Sequence, residues 1–186
     1  MLGSTQPLAS IEEAATAAYG AELVRRRSGG GAVFVAPGAQ VWLDLFVPIG
    51  DPLYDVDVSR AAGFVGELWR KSLVELEGAA ADFVVHTGPL VSSPWSRLWC
   101  FSGVGPGEVS ADGHKLVGVS QRRSRAGAWF FTMACIDLDP GRDASFLRGG
   151  AEWRSGLASE LERSHVPLAS PLAAVESRLA AHLVLL

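Results

Sequence analysis

Arg25-Arg26-Arg27-Ser28-Gly29-Gly30-Gly31-Ala32-Val33 sets three consecutive glycines between a basic run and an apolar one. Glycine allows positive φ and lets backbone approach a ligand with no Cβ in the way. Successive N–H groups in such a turn can form an anion nest, and flanking arginines add charge-assisted donors. A solvated hairpin turn is the plainer use of the same residues. Here strand-like runs flank the glycines, Glu22 to Arg26 before and Ala32 to Val35 after, which favours a built loop.

Working outward, Ser10-Ile11-Glu12-Glu13 predicts a helix that stops at Gly20. Val41 to Val47 alternates as a strand. Val58 to Leu76 carries Ala61, Val65, Leu68, Trp69 and Leu76 close to one helical face. Strands follow at Ala81 to Val85, Leu98 to Phe101, Glu108 to Ala111, Lys115 to Arg122 and Ala128 to Leu138. Asp112-Gly113 is a hairpin turn signal, and Thr87 to Ser96 is a Gly/Pro/Ser loop. The last third predicts helices near Ala144 to Leu147, Trp153 to Glu162 and Pro171 to Leu183. With no repeat or linker, residues 1–186 form a single α+β domain, mainly antiparallel sheets with flanking helices.

The 186 residues are 48% hydrophobic and 19% charged, enough for a packed core. A net charge of −4 argues against nucleic acid or an anionic membrane as partner. The basic residues are clustered, at Arg25 to Arg27 and at Arg122, Arg123 and Arg125, which suits a small anion or an acidic protein. Two cysteines are too few for a disulfide scaffold and suggest a reducing, cytoplasmic setting. There is no signal-peptide pattern at Met1 to Pro7 and no apolar span of about 18 residues.

Arg26-Arg27-Ser28-Gly29-Gly30-Gly31-Ala32-Val33 resembles the Arg-Arg-x-(Ser/Thr)-Gly-Gly-Gly-Ala-Val signature of lipoate–protein ligase A and the octanoyltransferases. A second stretch, Gly113-His114-Lys115-Leu116-Val117-Gly118-Val119-Ser120-Gln121-Arg122, resembles that family's Gly-x-Lys-x-x-Gly-x-(Ala/Ser)-Gln-x-Arg segment. Gly3-Ser4-Thr5-Gln6 is similar to its early Gly-x-x-Gln. The resemblance implies a biotin/lipoate-ligase-type domain that moves a lipoyl or octanoyl group onto a lysine of a lipoyl carrier domain. It implies that Lys115 holds the activated acyl carbonyl, where a fixed ammonium stabilises developing negative charge. It also implies that Arg26, Arg27, Ser28, Gly29, Gly30, Gly31, Ala32, Gly118 and Gln121 bind substrate. The resemblance leads us to expect a domain without the family's helix and strand ahead of Gly-x-x-Gln and without a C-terminal accessory domain.

Cys100, in Trp99-Cys100-Phe101, precedes Lys115 at a spacing like that of the cysteine-dependent octanoyltransferase branch, and Glu108 fits that branch too. There the acyl chain passes through a thioester. The thiolate is the nucleophilic form, and a nearby cation favours it. A buried core thiol is the commoner fate of a free cysteine, and it is the reading for Cys135. Three departures oppose the ATP-dependent branch. Val35-Ala36 stands where the family has His-Asp, Phe131-Thr132 replaces His-Gly, and Gly105-Pro106-Gly107-Glu108 replaces the Asn-Asp that helps hold ATP phosphates and Mg²⁺. Three readings stay open: an ATP- and Mg-dependent ligase, a cofactor-free octanoyltransferase using acyl-carrier-protein donors through Cys100, and a non-catalytic acyl-binding paralogue. His86, His114, His165 and His182 show no metal-ligand spacing.

Overall fold

The computed structural model describes residues 1–78, 81–136, 138–163 and 168–185. Its centre is a five-stranded antiparallel sheet of order β1-β7-β6-β5-β2. The strands are β1 (Gln40–Pro48), β2 (Phe83–Val85), β5 (Val109–Ala111), β6 (His114–Arg123) and β7 (Gly127–Cys135). A two-stranded ribbon, β3 (Val91–Ser92) with β4 (Gly103–Val104), stands beside it. The fold is the mixed α+β arrangement of antiparallel sheets and flanking helices that the sequence predicts.

Strand alternation gives the sheet two different faces. Ala128, Phe130 and Ala134 of β7 enter the cluster containing Trp69, Leu73 and Val175, which lie on α3 (Gly63–Glu77) and α6 (Leu172–Leu183). Met133 and Cys135 enter a second cluster with Leu2, Ala32, Trp99, Phe101, Phe146 and Leu157. That cluster is closed by α4 (Pro140–Ser145), α5 (Ala151–Arg163) and the N-terminal segments. One face therefore packs on α3 and α6, and the other on α4, α5 and the loops that carry the triple glycine and Cys100. At the α3 face, Trp69 Nε1 donates to Thr132 Oγ1 at 2.8 Å, and that hydroxyl donates to the Leu43 carbonyl at 2.8 Å. Thr132→Val keeps the shape, orphans the buried Trp69 N–H and takes the hydroxyl donor from the half-buried Leu43 carbonyl. It should cost about 1–3 kcal/mol, read from the urea midpoint at unchanged slope.

Several predicted elements differ. Glu22 to Arg26, Ala32 to Val35 and Leu98 to Phe101 are not strands; they make isolated parallel bridges, Leu2 with Arg25 and Ala32 with Trp99, and Val33 N–H bonds the Met1 carbonyl at 2.9 Å. Side chains replace the ladder there. Arg25 Nη1 donates to the carbonyls of Gly3 and Gln6, and Gln6 Nε2 to that of Leu98. The first helix, α1 (Glu13–Ala18), starts two residues late, capped at Glu12 in place of Ser10, because Ser10 closes a short 3-10 turn and bonds the Pro7 carbonyl. The helix expected near residues 144–147 begins at Pro140, with Asp139 as its cap. A short helix α2 (Val58–Ala61), capped by Asp57, leads into α3. Of the strand predicted over residues 128–138, Asp137 lies outside the described residues, as does His165. Among the described residues no helix is long and apolar enough to cross a membrane.

Candidate active site

Lys115 reaches its position through a turn and a bulge. Asp112 and Gly113 take φ of 49° and 82°, so the β5–β6 hairpin closes on two left-handed residues. Ser110 pairs with Lys115, yet Val109 pairs with Val117, which leaves Leu116 as an extra residue in β6. Leu116 and Val117 both enter the core beneath α3 and α6. Strict alternation would put Lys115 on that side with Val117; the bulge turns it to the opposite face. There it lies with Gly118, whose missing Cβ would stand 3.6 Å from Lys115 Cε, 3.8 Å from Cys100 Sγ and 3.9 Å from Glu108 Oε1.

These three groups form one network. Lys115 Nζ is 2.7 Å from Glu108 Oε1 and donates to the Cys100 carbonyl at 2.7 Å. Both side chains are buried, with 5% and 8% exposure. Glu108 also accepts from the N–H groups of Val119, at 3.2 Å, and Gly105, at 2.7 Å. The Gly105-Pro106-Gly107-Glu108 turn is seated against the start of α3, and Gly107, at φ 80°, has no room for a Cβ beside Ala62. The carboxylate thus fixes the ammonium, and the ammonium fixes the cysteine backbone.

The triple glycine supplies the other wall. Gly31 lies so close to Trp99 that a Cβ would sit 2.5 Å from its backbone nitrogen. This approach allows Ala32 N–H to bond the Leu98 carbonyl at 2.8 Å and Cys100 N–H to bond the Ala32 carbonyl at 2.9 Å. Cys100 is thereby held beside the glycine loop. Gly30 has φ 97°, and a Cβ there would stand 2.7 Å from Arg26 Nη2. Arg26 uses that space: Nη2 donates to the Gly31 carbonyl at 2.9 Å and lies 3.9 Å from Cys100 Sγ. Its buried Nε has no hydrogen-bond partner among the described residues.

Arg26, Gly29, Gly30, Gly31, Cys100 and Lys115 line one cleft of about 320 Å³, together with Glu108. Gly118 lines a small slot adjoining it. Ser28 is buried behind the loop, its hydroxyl accepting from Ser120 Oγ at 3.0 Å. Ala32 acts through its backbone. Arg27 is exposed and is not among the cleft's walls. Gln121 is not brought in either: it extends to the α2 end of the sheet, where Nε2 donates to the Val58 carbonyl at 2.7 Å. Sequence reasoning missed Ser96, Arg97 and Ser120 as cleft residues; of these only Ser120 lies inside a recognised motif. A larger cavity of about 420 Å³ lies between the N-terminal segments and Phe146. It has no cysteine, lysine or arginine in its walls, so the reactive groups belong to the smaller cleft.

The family model of the lipoyl protein ligase A/B catalytic domain matches residues 1–166. The chain belongs to that family. Among solved structures, this ligase-family domain is similar to the bi-partite lipoate protein ligase of Thermoplasma acidophilum, at TM-score 0.73 and 15% identity over 97% of the chain. A structure of the putative lipoate protein ligase Ta0514 from T. acidophilum with bound lipoic acid matches at TM-score 0.67 and 14% identity over 97% of the chain. A lipoate-protein ligase A bound with ATP matches at 0.67 and 15% over 96%. The domain spans 64% of the length of each of these three. At such identities the likeness shows the shared fold. No curated protein matches the sequence significantly.

Proposed function

We propose that this domain transfers an octanoyl or lipoyl group to a lysine of a lipoyl carrier domain through a thioester on Cys100. The observation that carries this reading is the meeting of the Cys100 sulfur, the Lys115–Glu108 pair and Arg26 in one cleft lined by the triple glycine. In the first step the Cys100 sulfur attacks the carbonyl carbon of an acyl thioester, such as an acyl-carrier-protein donor. A new C–S bond forms, the donor's C–S bond breaks, and the donor leaves as a thiol with the proton from Cys100. In the second step the neutral ε-amine of the acceptor lysine attacks the Cys100 thioester. A C–N bond forms, the C–S bond breaks, and the amine proton returns to the Cys100 sulfur. Both steps are redox-neutral. Negative charge develops on the acyl oxygen in each, and the Lys115 ammonium and Arg26 guanidinium are the preorganised cations beside it.

The glycine nest next to Arg26 favours a second reading, an ATP-dependent ligase, because such a nest suits phosphate. The donor set is a poor match for Mg²⁺. Glu108 already has both oxygens committed, and among the described residues no group of three His, Cys, Asp or Glu side chains could hold a metal. The two readings part on one experiment, with intact mass and pyrophosphate followed together. Incubation with an octanoyl thioester and no ATP should add one octanoyl mass to the protein, labile to hydroxylamine, and then move it to a lipoyl carrier domain. Pyrophosphate release from ATP with free octanoate or lipoate, with no acyl-protein formed, would replace this mechanism by the ligase. Binding of octanoate without either product would leave an acyl-binding protein.

A further inference from the structure

We propose that Trp42, latched to Asp44, is the gate that sets which acyl chain length Cys100 accepts; this rests on the thioester reading. The row of side chains that crosses the sheet beneath the cysteine is Trp42, Met133 and Gly118, by the register of β1, β7 and β6. All three face the loop side, as does Phe131 one step along. With no side chain on Gly118, the Cys100 sulfur comes close to the sheet there. A narrow slot opens from the sulfur, walled by Gly118, Phe131, Met133 and Trp42, with Arg26 and Ser120 shared with the adjoining cleft.

That slot has a volume of only about 20 Å³, room for roughly one water and far too little for a medium-chain tail. The adjoining cleft is larger, but beyond the shared Arg26 and Ser120 its walls add Arg97, Glu108, Lys115, Ser92 and Ser96, which suit the polar end of a donor. An acyl tail leaving Cys100 across the sheet meets Met133 first and Trp42 second, two strand spacings or roughly 10 Å away. Methionine yields readily, having three rotatable bonds. Trp42 is the rigid stop, and its Nε1 donates to Asp44 Oδ1 at 2.6 Å, two residues along the same strand face. Asp44 is solvent-exposed, so the latch is one hydrogen bond that can release the indole outward without unpairing the strand.

The test compares octanoyl and dodecanoyl thioesters as donors, reading the rate of acyl-protein formation by intact mass for wild type, Trp42→Ala and Asp44→Ala. Trp42→Ala should raise the dodecanoyl-to-octanoyl rate ratio by about tenfold or more, the scale on which apolar pockets discriminate added methylenes. Asp44→Ala should move the ratio the same way by less, and it serves alone if Trp42→Ala fails to fold. An unchanged ratio in the folded variants overturns the gate. If Cys100 takes up no acyl group from any donor, the thioester reading fails, and the gate is judged by binding. The dissociation constants of dodecanoate and octanoate for the same proteins, measured calorimetrically, should then show the same shift in ratio. An unchanged binding ratio, or no binding by any of them, removes the gate as well.

Discussion

Lys115→Ala should lower acyl transfer to a lipoyl carrier domain by about 100- to 1000-fold, the usual cost of deleting one preorganised donor to a developing oxyanion. An ammonium has three donors, and two are committed, to Glu108 and to the Cys100 carbonyl; the third remains for an acyl oxygen. The substitution also breaks a buried ion pair. Glu108 would keep its two backbone N–H donors but lose its counter-charge, which costs about 3–5 kcal/mol, so inactivity alone could reflect unfolding. Pairing it with Glu108→Gln removes that stranded charge. The double variant should recover most of the stability and none of the activity. Lys115→Arg should not rescue, since a planar guanidinium cannot replace a compact ammonium between these two partners. Transfer is measured by intact mass of the carrier domain at temperatures where each variant is equally folded. A folded Lys115→Ala protein with near wild-type transfer would remove Lys115 from the chemistry.

How much of this was legible in the sequence depended on the range of the interactions. β1, β6, β7, α3 and the Asp112-Gly113 turn follow from local periodicity and turn chemistry, and the structure has them. The site was legible as motifs but not as geometry. Alternation along Lys115, Val117 and Val119 assigns the lysine to the wrong face, because the bulge at Leu116 depends on how β5 pairs. The Leu98 to Phe101 segment has strand-like composition, yet its Leu98 carbonyl is held by Ala32 N–H and by Gln6, 92 residues away. Nothing local reports that. Likewise three adjacent arginines look alike in the sequence. The motif treats Arg26 and Arg27 alike, and only contacts across the fold separate Arg26, which lies beside the sulfur, from exposed Arg27, and show Arg25 clamping the N-terminal loop.

Cys100→Ala should reduce transfer from a thioester donor by more than about 10⁴-fold, the scale seen when a covalent nucleophile is deleted. Cys100→Ser should be nearly as severe, because an alcohol is a much weaker nucleophile than a thiol near neutral pH. Cys100→Ala removes only the weak 3.9 Å contact from Arg26 Nη2, which keeps its bond to the Gly31 carbonyl. The Cys100 N–H bond to the Ala32 carbonyl and its carbonyl bond from Lys115 belong to the backbone, and both substitutes are small. Thermal midpoints should therefore stay close to wild type. Accessibility provides a check that needs no substrate: Cys100 is half-buried at the cleft, whereas Cys135 is buried in β7. Iodoacetamide should modify Cys100 first, and prior octanoylation should protect it. Labelling of Cys135 ahead of Cys100 would contradict the open cleft. Full thioester-dependent transfer by a folded Cys100→Ala protein would end the covalent mechanism. If that variant also released pyrophosphate from ATP and free acid, the nucleotide-dependent reading would take its place.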